Sequence, residues 1–427
     1  MDALWFYAIA FVVIWVLAFL FKNQLKIDIT GPLLMRRTTR LRDFIDSIAQ
    51  KSPRFWRGFM TVGIPVSIFF MVLMIYLLIL SLQTLLQAPA ATPILPGVDY
   101  PGNPIYIPLG YGLIALATVL VIHEFSHGIL ARAEGIKIKS IGLALFAVIP
   151  GAFVEPDEEG VQKASRLTKL RIYVAGSIAN LTLAGITFAI FYLISSFFVP
   201  AAFHAEGMEI TSVVPNSPAN GILAEGMIIQ DINGYKTNNL TNYYIAINNI
   251  KIGDILTVTT NKGTFKIKTG TSPTNSTHEY IGIRTQEHEI VNKNIHDTFG
   301  DILPWTINSL GSLFFWIFLL NFAVGTFNLL PMKPLDGGLV FEEVLSARMS
   351  ENRVSSVTSN FKGFLHRKLK LSEEKARGLS LGLGKILSFK ISEKNVNIIV
   401  SSVSWILITF LVVNIAYGVG RGILMSI

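Results

Sequence analysis

The chain has no cysteine and few charged residues. None of its 427 residues is a cysteine, which excludes disulfide bonds and cysteine–metal sites. Asp, Glu, Lys and Arg make up 15% of the chain, and hydrophobic residues make up 51%. A soluble globular protein of this length would carry more charge, whereas apolar runs of about 18 residues or more are typical of membrane-spanning helices. The composition therefore indicates a polytopic α-helical membrane protein in a lipid bilayer.

Six apolar runs are long enough to be transmembrane helices. They lie at residues 4–21, 61–87, 108–132, 171–198, 304–330 and 395–417. The first run is too long for a signal peptide and has no cleavage site, so we interpret it as a retained helix. The net charge of +8 does not indicate a nucleic-acid partner, because the basic residues cluster in loops beside the spans. The oligomeric state is open.

The basic loops predict the orientation of the chain. Residues 22–60 hold nine Lys and Arg against three acidic residues, whereas residues 88–107 hold no Lys or Arg. The positive-inside rule places 22–60 in the cytoplasm, and alternation then places 199–303 outside and the basic segment 331–394 inside. Since the chain is also compact and free of cysteine, we expect a prokaryotic cell-membrane protein. Whether residues 338–394 lie on the membrane or form a plain cytoplasmic appendage is open.

Two further segments differ from spans and from ordinary loops. Residues Ile141–Pro156 are apolar but too short to cross, and Pro150-Gly151 interrupts them. This pattern predicts a re-entrant β-hairpin turning at the Pro-Gly pair, with a loop on the membrane surface as the alternative. Residues 205–290 are polar with short β-type runs, which predicts a small β-rich domain outside the membrane.

Three features mark the segment Val213–Asn239 within that domain. They are the turn Ser217–Ala219, Gly226 before an apolar strand, and the Asp-x-Asn-Gly sequence Asp231–Gly234. Asn-Gly is a strong hairpin signal. The segment resembles a PDZ domain, which implies either peptide binding or exclusion of bulky ectodomains.

Ionisable residues interrupt the third span. His123 and His127 are four residues apart, so a helix places both on one face, and Glu124 directly follows the first. Two imidazoles at this spacing suit Zn²⁺, and the carboxylate can take a proton from zinc-bound water. Placing a glutamate within a span costs about 2–3 kcal/mol, which favours a functional role over the alternative, hydrogen bonding to other helices.

The third zinc ligand is expected to be a carboxylate. A catalytic zinc takes three protein ligands and keeps one open position. The other histidines all lie outside the spans: His204, His278, His288, His296 and His366. Asp336, in the sequence Asn328–Gly338, leaves span five on the side where span three ends after His127. A solvent-facing Asp in an Asp-Gly turn is the alternative.

These motifs together resemble the site-2 protease family of intramembrane zinc metalloproteases. HExxH is followed far downstream by Asn-x-x-Pro (Asn328–Pro331) and Leu-Asp-Gly (Leu335–Gly337), and the match covers about half of the chain. "GSIAN" (Gly176–Asn180) resembles a Gly-Pro-x-x-Asn element of the family, with Ser177 in place of the proline. "PGAFVE" (Pro150–Glu155) resembles its re-entrant β segment.

The resemblance implies a function and a set of roles. One Zn²⁺ per chain is bound by His123, His127 and Asp336, and Glu124 is the catalytic acid and base. Asn328 and Asn180 are implied to lie near the substrate carbonyl. The substrates are transmembrane helices of other membrane proteins. A membrane zinc transporter and a non-catalytic PDZ scaffold are the alternatives.

The expected organisation has six parts. They are an N-terminal two-helix region with its basic loop (1–103), a membrane core with the HExxH helix and hairpin (104–200), the PDZ-like domain (205–290), a second core segment with Asn-x-x-Pro and Leu-Asp-Gly (300–340), a basic cytoplasmic segment (341–394) and a last transmembrane helix (395–427).

Overall fold

The computed structural model describes most of the chain. The described residues are 3–84, 95–98, 105–147, 149–248, 250–271, 279–346, 351–367, 370, 372–388 and 392–426. The end of the second predicted span (85–87), most of the loop 88–107 and His278 lie outside them.

Helices and strands alternate in blocks along the chain. The helices are α1 (Ala3–Leu25), α2 (Arg42–Lys51), α3 (Pro53–Thr84), α4 (Leu109–Ala133), α5 (Glu158–Lys163), α6 (Arg166–Leu193, continued by a π-helical segment Ile194–Phe198), α7 (Val199–Ala202), α8 (Leu240–Asn248), α9 (Lys293–Phe299), α10 (Ile302–Phe327), α11 (Asp336–Leu345), α12 (Glu351–Arg367), α13 (Glu373–Ser388) and α14 (Glu393–Ser426). The strands are β1 (Ile27–Thr30), β2 (Leu33–Thr38), β3 (Ile138–Phe146), β4 (Ile149–Pro156), β5 (Phe203–Val213), β6 (Ile228–Ile232), β7 (Tyr235–Lys236), β8 (Ile255–Thr260), β9 (Gly263–Lys268), β10 (Gly270–Thr271), β11 (Glu279–Tyr280) and β12 (Ile283–Val291).

Within the described residues, six helical segments are long and apolar enough to cross a membrane, as predicted. They are Trp5–Leu25, Pro53–Ser81, Leu109–Ala133, Arg166–Ala202, Ile302–Phe327 and Glu393–Tyr417. The second begins at Pro53 rather than at residue 61, since a proline fits the first turn of a helix, where no partner for its missing N–H is needed. The chain is therefore a polytopic helical membrane protein.

The chain divides into two compact units. One unit is formed by Met1–Phe188 with Leu313–Ile427, and the other is Ala189–Ser312. In the first unit, buried residues of α2, α4, α6 and α11 form one apolar core, to which Ile45, Leu130, Ile172 and Val340 contribute. Residues at the C-terminal end of α4 belong to this core, so the helix that carries the HExxH segment is packed against its neighbours directly after His127.

A four-stranded antiparallel sheet lies in the same unit, in the order β1-β2-β3-β4. The predicted hairpin is its β3–β4 pair, with Ile141 opposite Val154. The predicted turn position was wrong, because Pro150 and Gly151 lie within β4 and the turn instead contains Ala147, with φ of +54°. A proline is tolerated there because β4 ends the sheet, where an absent N–H breaks no ladder.

The hairpin β1–β2 was not predicted from the sequence, which placed its residues in a basic loop. Thr30 pairs with Leu33 across a two-residue Gly31-Pro32 turn, and Gly31 has φ of +56°. β2 pairs with β3 along its whole length. The N-terminal region therefore contributes two strands to the sheet of the membrane core.

The second unit contains the predicted β-rich domain. Its antiparallel sheet has the order β12-β5-β6-β8-β9, with β7 paired to β6. The Asn-Gly hairpin forms as predicted: Ile232 pairs with Tyr235, and Asn233 and Gly234 both have positive φ, as a type I′ turn requires. Tyr243 of α8 packs into the apolar core of this sheet.

Candidate metal centre

Three side chains meet where α4 approaches the start of α11. His123 and His127 are 12% and 14% exposed, and Asp336 is 16% exposed. Nε2 of His123 lies 3.3 Å from Nε2 of His127. Oδ2 of Asp336 lies 3.3 Å from Nε2 of His123 and 3.4 Å from Nε2 of His127. The structure thus brings together the three predicted ligands.

This triangle fits a tetrahedral metal ion. With metal–ligand distances of about 2.0–2.1 Å, neighbouring ligand atoms in a tetrahedron lie about 3.3–3.4 Å apart. Direct hydrogen bonds between an imidazolium and a carboxylate would be shorter, about 2.7–2.9 Å. The spacing of all three edges therefore suits a shared Zn²⁺ better than a direct ion pair. Three ligands of this kind leave the fourth position for a water or a substrate oxygen.

The hydrogen bonds of the imidazoles decide which nitrogen faces the metal site. Nδ1 of His127 lies 2.7 Å from the backbone carbonyl of Ile172. A carbonyl only accepts, so Nδ1 carries the proton and Nε2 presents its lone pair to the site. Metal-binding imidazoles are typically oriented by such a partner on the other nitrogen.

Asn180 stands in the same relation to His123. Its amide Nδ2 lies 3.3 Å from Nδ1 of His123, and its Oδ1 is buried without a partner among the described residues. Exchanging the positions of the amide nitrogen and oxygen gives Oδ1 a donor in the Nδ1–H of His123. The structure places Asn180 against the imidazole of His123, and a role at the substrate carbonyl stays a prediction.

The two glycines that follow Asp336 pack directly against the backbone of the segment after α10. Asp336 is the first residue of α11, not part of a solvent-facing turn. A Cβ on Gly337 would lie 2.3 Å from the backbone of Leu329, and one on Gly338 would lie 2.6 Å from the backbone of Met332. The two glycines are thus required for close packing, and the N-terminus of a helix is a favourable place for the Asp336 carboxylate.

Glu124 lies next to the three predicted ligands, and its carboxylate is hydrogen-bonded to the backbone of another element. Its Oε2 accepts a hydrogen bond of 3.0 Å from the backbone N–H of Val154 on β4. A cavity of about 470 Å³ opens beside Glu124 and the ligands, and Gln162 and Tyr173 also line it. A carboxylate at the wall of this cavity can exchange a proton with a water or substrate there.

Asn328 is placed by its backbone. Its carbonyl accepts a 2.7 Å hydrogen bond from the N–H of Gly337, the residue after Asp336. This contact ties the end of α10 to the start of α11. The amide side chain is half-buried, and its predicted role as a donor to the substrate carbonyl stays a prediction.

Two contributors to the site were not assigned from the sequence. A Cβ on Gly176 would lie 2.5 Å from Nε2 of His127 and 2.6 Å from Nε2 of His123. The buried hydroxyl of Ser177 donates to Oδ2 of Asp336 at 3.4 Å. Both residues begin the "GSIAN" element of α6, and only their position in space reveals what they contact.

Gly176→Ala should remove the metal while the fold persists. The added methyl group would occupy the space of both Nε2 atoms, so the imidazoles must rotate away from Asp336. We expect zinc content well below one per chain and loss of cleavage, measured on protein purified in detergent. Gly185→Ala on the same helix is the matched control, because a Cβ there meets nothing within 4 Å. Full zinc content in Gly176→Ala would contradict the packing described here.

Comparisons with known proteins bear on the same region. The model of Peptidase family M50 matches residues 111–365, which include the HExxH helix, the β-rich insertion and Asp336. An uncharacterized protein of Methanocaldococcus jannaschii (MJ0971) is 28% identical over 381 residues, covering 84% of this chain and 90% of that protein. The membrane-bound transcription factor site-2 protease homolog of Arabidopsis thaliana is 27% identical over 130 residues, which are 30% of this chain and 25% of that protein.

A solved structure matches about a fifth of the chain. It is the PDZ domain of the SdrC-like protein from Listeria monocytogenes, 22% identical, with 21% of this chain and 93% of that chain covered. Its TM-score of 0.17 is too low to support an argument about the fold. The family model, by contrast, spans more than half of the chain. The chain therefore belongs to Peptidase family M50, the site-2 protease family of intramembrane zinc metalloproteases.

Proposed function

We propose that His123, His127 and Asp336 hold one Zn²⁺ and that Glu124 is the general base and acid for hydrolysis of peptide bonds in transmembrane helices of other membrane proteins. The observation that carries this proposal is the triangle of ligand atoms with edges of 3.3–3.4 Å. When bound, zinc lowers the pKa of a water and polarises the scissile carbonyl.

Glu124 moves the proton. Its Oε2 is occupied by the Val154 N–H, which leaves Oε1 to take a proton from the attacking water and return it to the leaving amide nitrogen. His127 and His123 are held in orientation by Ile172 and Asn180. Neither a zinc transporter nor a peptide-binding scaffold has a use for a carboxylate held beside the ligands in this way.

The free edge of β4 is suited to hold the substrate backbone. A transmembrane helix must unwind locally before cleavage, and its freed backbone groups then need partners within the membrane. Among the strands that the structure describes, β4 pairs with β3 alone. Because the Val154 N–H is directed at Glu124, alternation along the strand directs the N–H of Ala152 outward as well. The prolines at 150 and 156 have none to offer, so we infer that an unwound substrate pairs through Ala152.

Ala152→Pro tests this strand addition. Since the N–H of Ala152 faces away from β3, the substitution leaves the ladder of the sheet intact and removes a donor to the substrate. We expect KM for a transmembrane substrate to rise about 2- to 10-fold, the value of one hydrogen bond, with zinc content unchanged. Ala152→Val adds bulk and keeps the N–H, so it separates loss of the donor from loss of space. An unchanged KM in Ala152→Pro would reject pairing at this edge.

The proposed orientation places the metal site toward the cytoplasm and the β-rich domain outside a prokaryotic cell membrane. The excess of basic residues in 22–60 supports it. Because the chain has no cysteine, a single introduced cysteine can be labelled without background. A membrane-impermeant maleimide should label Lys266→Cys on intact cells and Ser359→Cys only after lysis, and the reverse pattern would invert the topology.

A further inference from the structure

Two cavities meet at Glu124. One is the cavity of about 470 Å³ beside the metal ligands. The other, of about 310 Å³, lies between α4 and the four-stranded sheet, and Phe125, Leu143 and Ala152 line it. Among the described residues that line these cavities, Glu124 and Val154 belong to both. The hydrogen bond between them therefore stands where a strand laid along β4 would pass the metal site.

Of the two partners in this hydrogen bond, Val154 is the one held in place by packing. Val154 is 7% exposed and belongs to the apolar core around α4. A Cβ on Gly128 would lie 3.0 Å from Cγ1 of Val154, so helix and strand are in close contact at this point. The carboxylate of Glu124, by contrast, ends a side chain with three rotatable bonds. A rigid donor thus selects one orientation of a flexible acid.

The outward edge of β4 has few donors. Its outward-facing residues are Pro150, Ala152, Val154 and Pro156, and the two prolines carry no N–H. Two donors remain, and only that of Val154 reaches Glu124. We propose that the two N–H groups have separate tasks: the N–H of Val154 positions the catalytic carboxylate, and the N–H of Ala152 binds the substrate. This proposal rests on the function proposed above.

This division has a chemical consequence. A hydrogen bond from Val154 occupies Oε2 and turns the other oxygen of Glu124 toward the cavity of the metal ligands. Without it the carboxylate would sample rotamers that point into the second cavity, away from the reacting water. Val154 is therefore a positioning residue that acts through Glu124, and the same strand that receives the substrate also orients the base.

Val154→Pro separates the two tasks. The N–H of Val154 faces away from β3, so a proline keeps the sheet ladder and deletes the bond to Glu124, although it also replaces the buried valine side chain. We expect kcat to fall about 10- to 100-fold, the scale of a hydrogen bond to a charged group, with zinc content and KM unchanged. Ala152→Pro should show the opposite split, with a raised KM and an unchanged kcat. Val154→Ala keeps the N–H and loses only side-chain packing. Its smaller fall in kcat therefore measures how much of the effect of Val154→Pro is due to packing.

A second variant tests the proposal if Val154→Pro does not fold. If Val154→Pro loses zinc or aggregates, α-hydroxyvaline at position 154 replaces the N–H with an ester oxygen and keeps the side chain, and the same fall in kcat is expected. An unchanged kcat in either zinc-loaded variant overturns the proposal, and so does a raised KM with normal kcat, which would give this N–H to the substrate. Those outcomes leave the proposed function standing as long as the unaltered protein cleaves and Glu124→Gln does not.

Discussion

Glu124→Gln should keep zinc and lose cleavage. The amide has the size of the carboxylate and can still accept from the Val154 N–H through its oxygen, so the fold and the three metal ligands are undisturbed. It cannot take a proton, however, and general acid–base catalysis is typically worth about 10²–10⁴-fold. We expect cleavage of a transmembrane substrate to fall by at least that factor, measured as turnover in proteoliposomes, with one zinc per chain retained.

The same variant should also hold its substrates. Strand addition at β4 does not depend on the proton transfer, so an uncut transmembrane substrate should copurify with Glu124→Gln and not with the active protein. His123→Ala is the comparison variant, since it should lose the zinc together with the activity. A Glu124→Gln protein that cleaves its substrate at a near-normal rate would contradict the proposed mechanism. One that loses zinc as fully as His123→Ala would make Glu124 a ligand instead.

Asp336→Asn should lose the metal. The neutral amide keeps the shape of the carboxylate and its place at the start of α11, but it is a poor zinc ligand. Partners outside the ligand shell typically contribute 10–100-fold in metal affinity, so the loss of a ligand should weaken binding by at least about 100-fold. We expect zinc, measured by elemental analysis after dialysis, to fall far below one per chain, and cleavage to disappear with it.

A control on the same helix tests whether charge alone matters. Glu342 forms an ion pair of 2.7 Å with Lys333 and lies six residues after Asp336 on α11. Glu342→Gln removes the same charge from α11 and should retain zinc and activity. If Asp336→Asn and Asp336→Ala both bind zinc with full stoichiometry, the third ligand lies elsewhere.

The meeting of the three proposed metal ligands could be predicted because their residue types indicate zinc chemistry. A glutamate and two histidines inside an apolar span have few structural explanations, and the spacing of His123 and His127 fixes a shared helix face. Asp336 required topology as well, because many Asp-Gly pairs are turns. The structure brings its Oδ2 within 3.4 Å of both imidazoles.

The sheet was harder to predict than the helices. β1 and β2 are short and mixed in polarity, so their basic residues indicated a loop, and pairing with β3 across more than 100 residues leaves no local signal. Pro150-Gly151 looked like the turn of the hairpin because that pair usually marks one. Its place in β4 depends on that strand being at the edge of the sheet, which is a property of the whole fold.

Some parts of the site carry no signature in the sequence at all. The N–H that holds Glu124 belongs to a backbone, and any residue except proline could supply it. Gly176 is needed because two imidazoles occupy the space beside it. No local sequence pattern indicates this contact. The contact between Asn180 and His123 was likewise not foreseen, because the sequence gives the helix that carries Asn180 but not the direction of its amide, and the role at the substrate carbonyl stays a prediction.

The most direct test measures cleavage and metal together on one preparation. The purified protein and the Glu124→Gln variant are each reconstituted in liposomes with a single-span substrate. A chelator then removes the bound metal, and zinc is added back. The predicted result is a cut within or near the span that disappears with the metal, returns when one zinc per chain is restored, and never occurs with Glu124→Gln. Cleavage by metal-free protein, or no cleavage by the zinc-loaded intact protein, would contradict the proposed chemistry.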